Sequence, residues 1–166
     1  MGINKKITDL TRWFGDVSSD QELYFAYGSN MNQGQMSIRC PRSKPLAIAR
    51  FSGHRFLINS RGVATAIPDR NHSVYGVIWR LSDGDEDAID YYEGIKDEIY
   101  YKKIISVQVA NDQISTLTYI ANDAVQGIPR AGYLEKVIAG AQSFNAHEEW
   151  FRELRSWSII GNKLQL

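Results

Sequence analysis

A strand-like aromatic run, Leu23-Tyr24-Phe25-Ala26-Tyr27, breaks abruptly into Gly28-Ser29-Asn30-Met31, and this join constrains the chain more than any other segment. Strand packing has no need of Gly-Ser-Asn, so the letters read as a buried strand delivering a ligand-binding turn. Gly28 can take backbone angles closed to other residues. Ser29 and Asn30 can either cap a following helix or leave backbone N–H groups pointing at an anion.

A second segment, Ile89-Asp90-Tyr91-Tyr92-Glu93-Gly94, reads as the end of a helix. Ser82 with Asp85 three residues on resembles a capping box, and Gly94 is placed to stop the helix at Glu93. Acidic residues on such a helix usually form a solvated face, and a carboxylate beside the C-terminal end of the dipole is mildly unfavourable. Ala88, Ile89 and Tyr92 define the expected buried stripe. Glu93, one turn beyond Ile89, lies on its margin, and Asp87 and Asp90 turn outward. A carboxylate partly buried beside aromatics has a raised pKa, which suits general acid–base work.

Together the two segments resemble the γ-glutamylcyclotransferase superfamily, whose members carry a Tyr-Gly-Ser-Asn-type loop and a later Asp-x-x-Glu-Gly helix end supplying a catalytic Glu. Val63-Ala64-Thr65-Ala66-Ile67-Pro68, Val74-Tyr75-Gly76-Val77-Ile78-Trp79 and Tyr100-Tyr101-Lys102-Lys103 are similar to the family's other strands. The matching order runs from Leu23 to Val109, with a weaker echo at Tyr133. The resemblance implies an α+β fold, a small and strongly curved mixed sheet or barrel with a few flanking helices and the site at one mouth. It also implies cyclisation of γ-glutamyl amides to 5-oxoproline with release of an amino acid or amine, without a cofactor. Glu93 would be the general acid/base, and Tyr27, Gly28, Ser29, Asn30 and Tyr133 would surround the small-molecule γ-glutamyl substrate. Ala64 and Thr65 would lie along the pocket floor. Tyr133 reads equally as a core tyrosine. Two other readings stay open: a related cyclotransferase acting on γ-glutamyl amines or removing a γ-glutamyl protecting group, and a non-enzymatic binding member of the fold.

Bulk properties suit a small enzyme. The 166 residues can bury a real core, and 43% hydrophobic against 23% charged residues is ordinary for a globular chain. Lys+Arg and Asp+Glu balance at 19 each, which gives no general attraction to nucleic acid or an anionic membrane surface. A single cysteine, Cys40, removes any internal disulfide framework and fits a cytoplasmic setting. The sequence shows no signal peptide or apolar span, and Lys6 stands where myristoylation wants Ser or Thr. His54, His72 and His147 are scattered without metal-ligand spacing, so no metal is expected.

No repeat or linker divides the chain, which reads as an extension over residues 1–21, with Trp13 and Phe14, followed by one domain over 22–166. Expected strands cover Leu23–Tyr27, Leu46–Phe51, Arg55–Asn59, Ala64–Ile67, Val74–Trp79, Tyr100–Val109 and Ile114–Ile120. A hairpin turn is expected at Asn111-Asp112. Further helices begin after Pro129 and at Asn145, and the last carries a Trp150, Phe151, Leu154, Trp157 stripe that reads as core packing or a homodimer face.

Overall fold

A computed structural model describes residues 22–163; the expected extension over 1–21 lies outside the described residues. Five strands close into a barrel in the order β1-β3-β2-β4-β5: β1 Leu23–Ala26, β2 Lys44–Ile58, β3 Ala64–Arg80, β4 Tyr100–Val109 and β5 Asp112–Ala121. The sheet is mixed, because β1 runs antiparallel to β3 and parallel to β5. All four residues of β1 are buried. A strand covered on both faces needs a continuous apolar run instead of alternation, and Leu-Tyr-Phe-Ala supplies one.

The sequence breaks β2 and β3 into four pieces, and the structure joins them into two long strands. The reason is a bulge. Ser52 pairs with Ser73 and His54 with Pro68, so Asp69–His72 loop out opposite Gly53, whose φ of 74° suits glycine. Polar letters between Ile67 and Val74 thus mark a distortion within one hairpin. The β4–β5 turn falls one residue earlier than expected, with Val109 opposite Asp112 and Ala110 at φ 50°.

Four helices flank the barrel: α1 Gln33–Arg39, α2 Asp85–Glu93, α3 Tyr133–Gln142 and α4 Glu148–Lys163, with a short 3-10 turn at Ser29–Met31. Asn32, not Ser29 or Asn30, caps α1 by accepting from the Gln35 N–H at 3.0 Å. Only half of the capping box before α2 forms: the Asp85 carboxylate accepts from the Ser82 N–H at 2.8 Å, and Gly84 occupies the cap position. Gly94 ends α2 as expected, at φ 66°, its N–H donating to the Asp90 and Tyr91 carbonyls. Asn145, read as a cap, instead has φ 52° and closes the preceding turn through Gln142. The α4 stripe is core: Trp150, Phe151, Leu154 and Trp157 are all buried, Trp150 stacking on Tyr75 and Trp157 meeting Phe56 edge-on.

Helix α3 locks the 3-10 turn in place. A methyl group on Gly140 would approach the Asn32 nitrogen and the Met31 carbonyl carbon to 2.8 Å. Gly140→Ala should therefore cost about 1–3 kcal/mol by overpacking. Glu135→Gln, on the exposed side of the same helix, should stay within about 0.5 kcal/mol. Denaturant unfolding of both variants checks this, and equal midpoints would show that the turn tolerates displacement.

Candidate active site

Helix geometry delivers Glu93 inward. Asp85 and Ile89 are buried and Glu93 half-buried, so the inward line of α2 runs in steps of four through these three residues. Two expectations for this helix need correction. Tyr92 is 47% exposed and not part of the buried stripe, because a tyrosine can lay its ring on the surface under a cation, here Arg39 at 4.3 Å from the ring centroid. Asp90 does not turn to open solvent: it accepts from the Tyr119 hydroxyl at 2.6 Å and from Lys102 at 2.8 Å. Asp87 is exposed, as its position implies.

The Tyr27–Asn30 turn meets Glu93 across 63 residues of sequence through one amide. Asn30, only 3% exposed, donates from Nδ2 to the Glu93 carboxylate and to the Tyr24 hydroxyl, each at 3.1 Å. Its Oδ1 accepts from Gln35 at 2.9 Å and from Arg39 at 2.8 Å. Two donors and two lone pairs are thereby all engaged, leaving the backbone N–H as the group Asn30 can offer a ligand. The Ser29 hydroxyl is likewise held, accepting from Gln35 at 2.8 Å.

Between these elements lies a cavity of about 180 Å³ lined by the expected Tyr27, Gly28, Ser29, Asn30, Glu93, Tyr133 and Ala64. Thr65 is fully buried behind it, its hydroxyl accepting from the Ala121 N–H. The volume falls below the ~300–1,000 Å³ of drug-sized sites, which suits a compact polar metabolite. Tyr24, Tyr100 and Tyr119 complete an aromatic wall. Tyr27 donates to the Tyr119 carbonyl and Tyr100 to that of Ala64, both at 2.6 Å, so these rings are struts as well as lining. Burial, reinforced by the Glu93 charge, holds the hydroxyls of Tyr24, Tyr27 and Tyr100 protonated.

Tyr133 explains Gly28. Its hydroxyl accepts from the Ala64 N–H at 3.1 Å and also faces the Ser29 N–H, and a methyl group on Gly28 would sit 2.8 Å from that oxygen. Gly28 has φ −108°, so close approach rather than a left-handed backbone demands glycine here. Burial pushes the Tyr133 hydroxyl up to about 12.

Burial also raises the Glu93 carboxyl, from 4.5 to about 7, against the opposing pull of the Arg39 charge and the Asn30 hydrogen bond. Sequence reasoning missed three cationic members of the lining, Arg39, Arg61 and Arg130, which come from three separate segments and belong to no motif. The histidines lie apart: His54 stacks on Phe51, His72 pairs with Asp69 and His147 meets the edge of Tyr75.

Residues 73–154 match the AIG2-like family. The chain is 26% identical over 157 residues to the γ-glutamylcyclotransferase of Homo sapiens, covering 85% of this chain and 82% of that one. It is 25% identical over 147 residues to that of Mus musculus, covering 81% and 77%. A solved γ-glutamyl cyclotransferase structure superposes with a TM-score of 0.78 at 23% identity, covering 83% of this chain and 88% of that one.

The raised carboxyl has a measurable signature. Unfolding lets Glu93 ionise near 4.5, whereas the folded site keeps its proton to about 7. Stability contributed by the neutral form is complete below pH 4.5 and is lost as pH rises through 7. Glu93→Gln cannot ionise, so its stability relative to the parent should grow between pH 4 and pH 8, by up to about 3 kcal/mol. Thermal unfolding across that range tests it, and a constant difference would mean an ordinary, solvated carboxylate.

Proposed function

For a chain that belongs to the γ-glutamylcyclotransferase/AIG2-like superfamily, we propose the matching chemistry: intramolecular cyclisation of a γ-glutamyl amide, yielding 5-oxoproline and a free amine-bearing product. One observation carries the reading. A carboxyl raised to about 7 shares a small polar cavity with the Tyr27–Asn30 turn and Tyr133.

The reaction asks little of the protein beyond positioning and proton transfer. Glu93 takes a proton from the substrate's α-ammonium group. The freed amine attacks the γ-carbonyl, forming the ring C–N bond and a tetrahedral oxyanion, and the ring nitrogen gives its second proton to solvent. As the oxyanion collapses, the bond to the leaving nitrogen breaks and Glu93 returns the proton to it. An α-ammonium pKa near 8 against a base near 7 is a workable match. Because attacker and target belong to one molecule, holding the folded conformer supplies much of the acceleration.

The cavity offers groups for the other charges. Tyr133, whose oxygen already accepts from Ala64, can turn its proton toward the oxyanion, and the backbone N–H groups of the Gly28–Asn30 turn can address the substrate's α-carboxylate. A protein nucleophile is unnecessary, and Cys40 suits none, since burial pushes its thiol up to about 11.

Glu93→Gln keeps the shape but cannot accept a proton, so 5-oxoproline release from γ-glutamyl amides should fall by ~100- to 10,000-fold while substrate binding persists. The control is Asp87→Asn, exposed on the same helix. Asp90 is unsuitable because it holds Tyr119 and Lys102. Near-normal turnover by Glu93→Gln would remove Glu93 from the mechanism.

Gly28→Ala should also lose more turnover than thermal stability. The added methyl group displaces the far end of the Tyr133 side chain, which the fold tolerates better than the chemistry does. Proportionate losses in a paired activity and melting assay would make Gly28 a structural glycine.

A further inference from the structure

The cavity's charge is lopsided in a chain that is neutral overall. Three guanidinium-bearing residues, Arg39, Arg61 and Arg130, line it against a single carboxylate, Glu93. Arg39 is committed, donating to Asn30 at 2.8 Å and stacking on Tyr92. Arg61 and Arg130 are not. Among the described residues neither guanidinium has a carboxylate partner; Arg130 lies 5.9 Å from the Tyr133 ring centroid.

These two residues share one rim by construction. The turn after β2 and the segment before α3 are zipped together, the Gly127 N–H donating to Ile58 at 2.9 Å and the Arg130 N–H to Gly62 at 3.1 Å. Gly62, at φ 77°, has no room for a side chain, since a Cβ there would stand 2.6 Å from the Arg130 nitrogen. Asn30 is buried and Glu93, Gly28 and Ser29 half-buried, whereas both arginines are exposed, which puts the guanidiniums on the outer side of the cavity.

Resting on the cyclotransferase reading above, we propose that Arg61 and Arg130 recognise an anionic group on the leaving half of the substrate, and that this pair is what sets a leaving group with a free carboxylate above a neutral one. The α-carboxylate of the glutamyl half, one bond from the amine that Glu93 deprotonates, is confined to the deep end. A γ-glutamyl amino acid carries a second carboxylate at the far end, and guanidinium is the side chain best shaped to take it in two hydrogen bonds. Because the rim is wet, the pairing acts through attraction that salt screens.

The test uses two substrates that differ only in this charge, γ-glutamyl-alanine and γ-glutamyl-alaninamide, with 5-oxoproline release as the readout. The parent protein should favour the acid in kcat/KM by about tenfold or more, as expected for one charge-assisted contact. That preference should shrink as salt rises. In the Arg61→Gln/Arg130→Gln double variant it should fall toward unity, mainly through KM for the acid, with the amide little changed. Arg70→Gln, exposed on β3 away from the cavity, should retain the preference, and melting curves confirm that each variant is folded. Equal turnover of acid and amide by the parent overturns the proposal. So does an equal loss on both substrates in the double variant, which would place the guanidiniums on the glutamyl half. Absence of 5-oxoproline from both substrates with folded parent protein would instead sink the cyclotransferase reading on which this rests.

Discussion

The short strand β1 has to satisfy hydrogen bonds along both edges while burying both faces, and most of the cavity's geometry descends from that requirement. Its partners are β3 on one side and β5 on the other, one antiparallel and one parallel, and meeting both closes the sheet. A closed barrel has no free strand edge to protect. It also fixes where the chain emerges, so the Tyr27–Asn30 turn leaves β1 at the cavity. Burial of Tyr24, Phe25 and Ala26 therefore serves the site as directly as any residue that lines it.

Electrostatics at Glu93 are a contest with a clear winner. Arg39 and Asn30 both favour the charged carboxylate, yet the aromatic surroundings disfavour it more, and the balance comes out near neutrality. Had the Arg39 guanidinium bonded Glu93 directly instead of Asn30, the ion pair would have held the carboxyl low. The intervening amide keeps the cation one residue away while fixing the carboxylate's direction.

Much of this was written in short-range signals. Glycine after Glu93 ends the helix where expected, and Gly-Ser-Asn after an aromatic run does mark a turn at a cavity. The misreadings have a common origin in tertiary context. Tyr92 looks apolar in a periodicity count but spends its ring under Arg39. The polar stretch Asp69–His72 looks like a loop between strands but is a bulge within one. Gly28 suggests unusual dihedrals but is required by a hydroxyl 105 residues further on. Arg39, Arg61 and Arg130 carry no local signature, since their meaning comes from which turns the barrel brings side by side.

Closure of the barrel has a consequence for when the site exists at all. The β2–β3 hairpin joins neighbours across a turn at 59–63, whereas β1 must reach residue 80 on one side and residue 117 on the other. Contacts of such separation carry the larger loop-closure cost and tend to form late. A chain emerging N-terminus first thus holds its Gly-Ser-Asn turn long before β5 exists to receive the strand that bears it. Until then Glu93 has neither its aromatic surroundings nor its Asn30 tether, and is an ordinary surface acid. The raised Glu93 carboxyl belongs to the finished barrel and to no fragment of it.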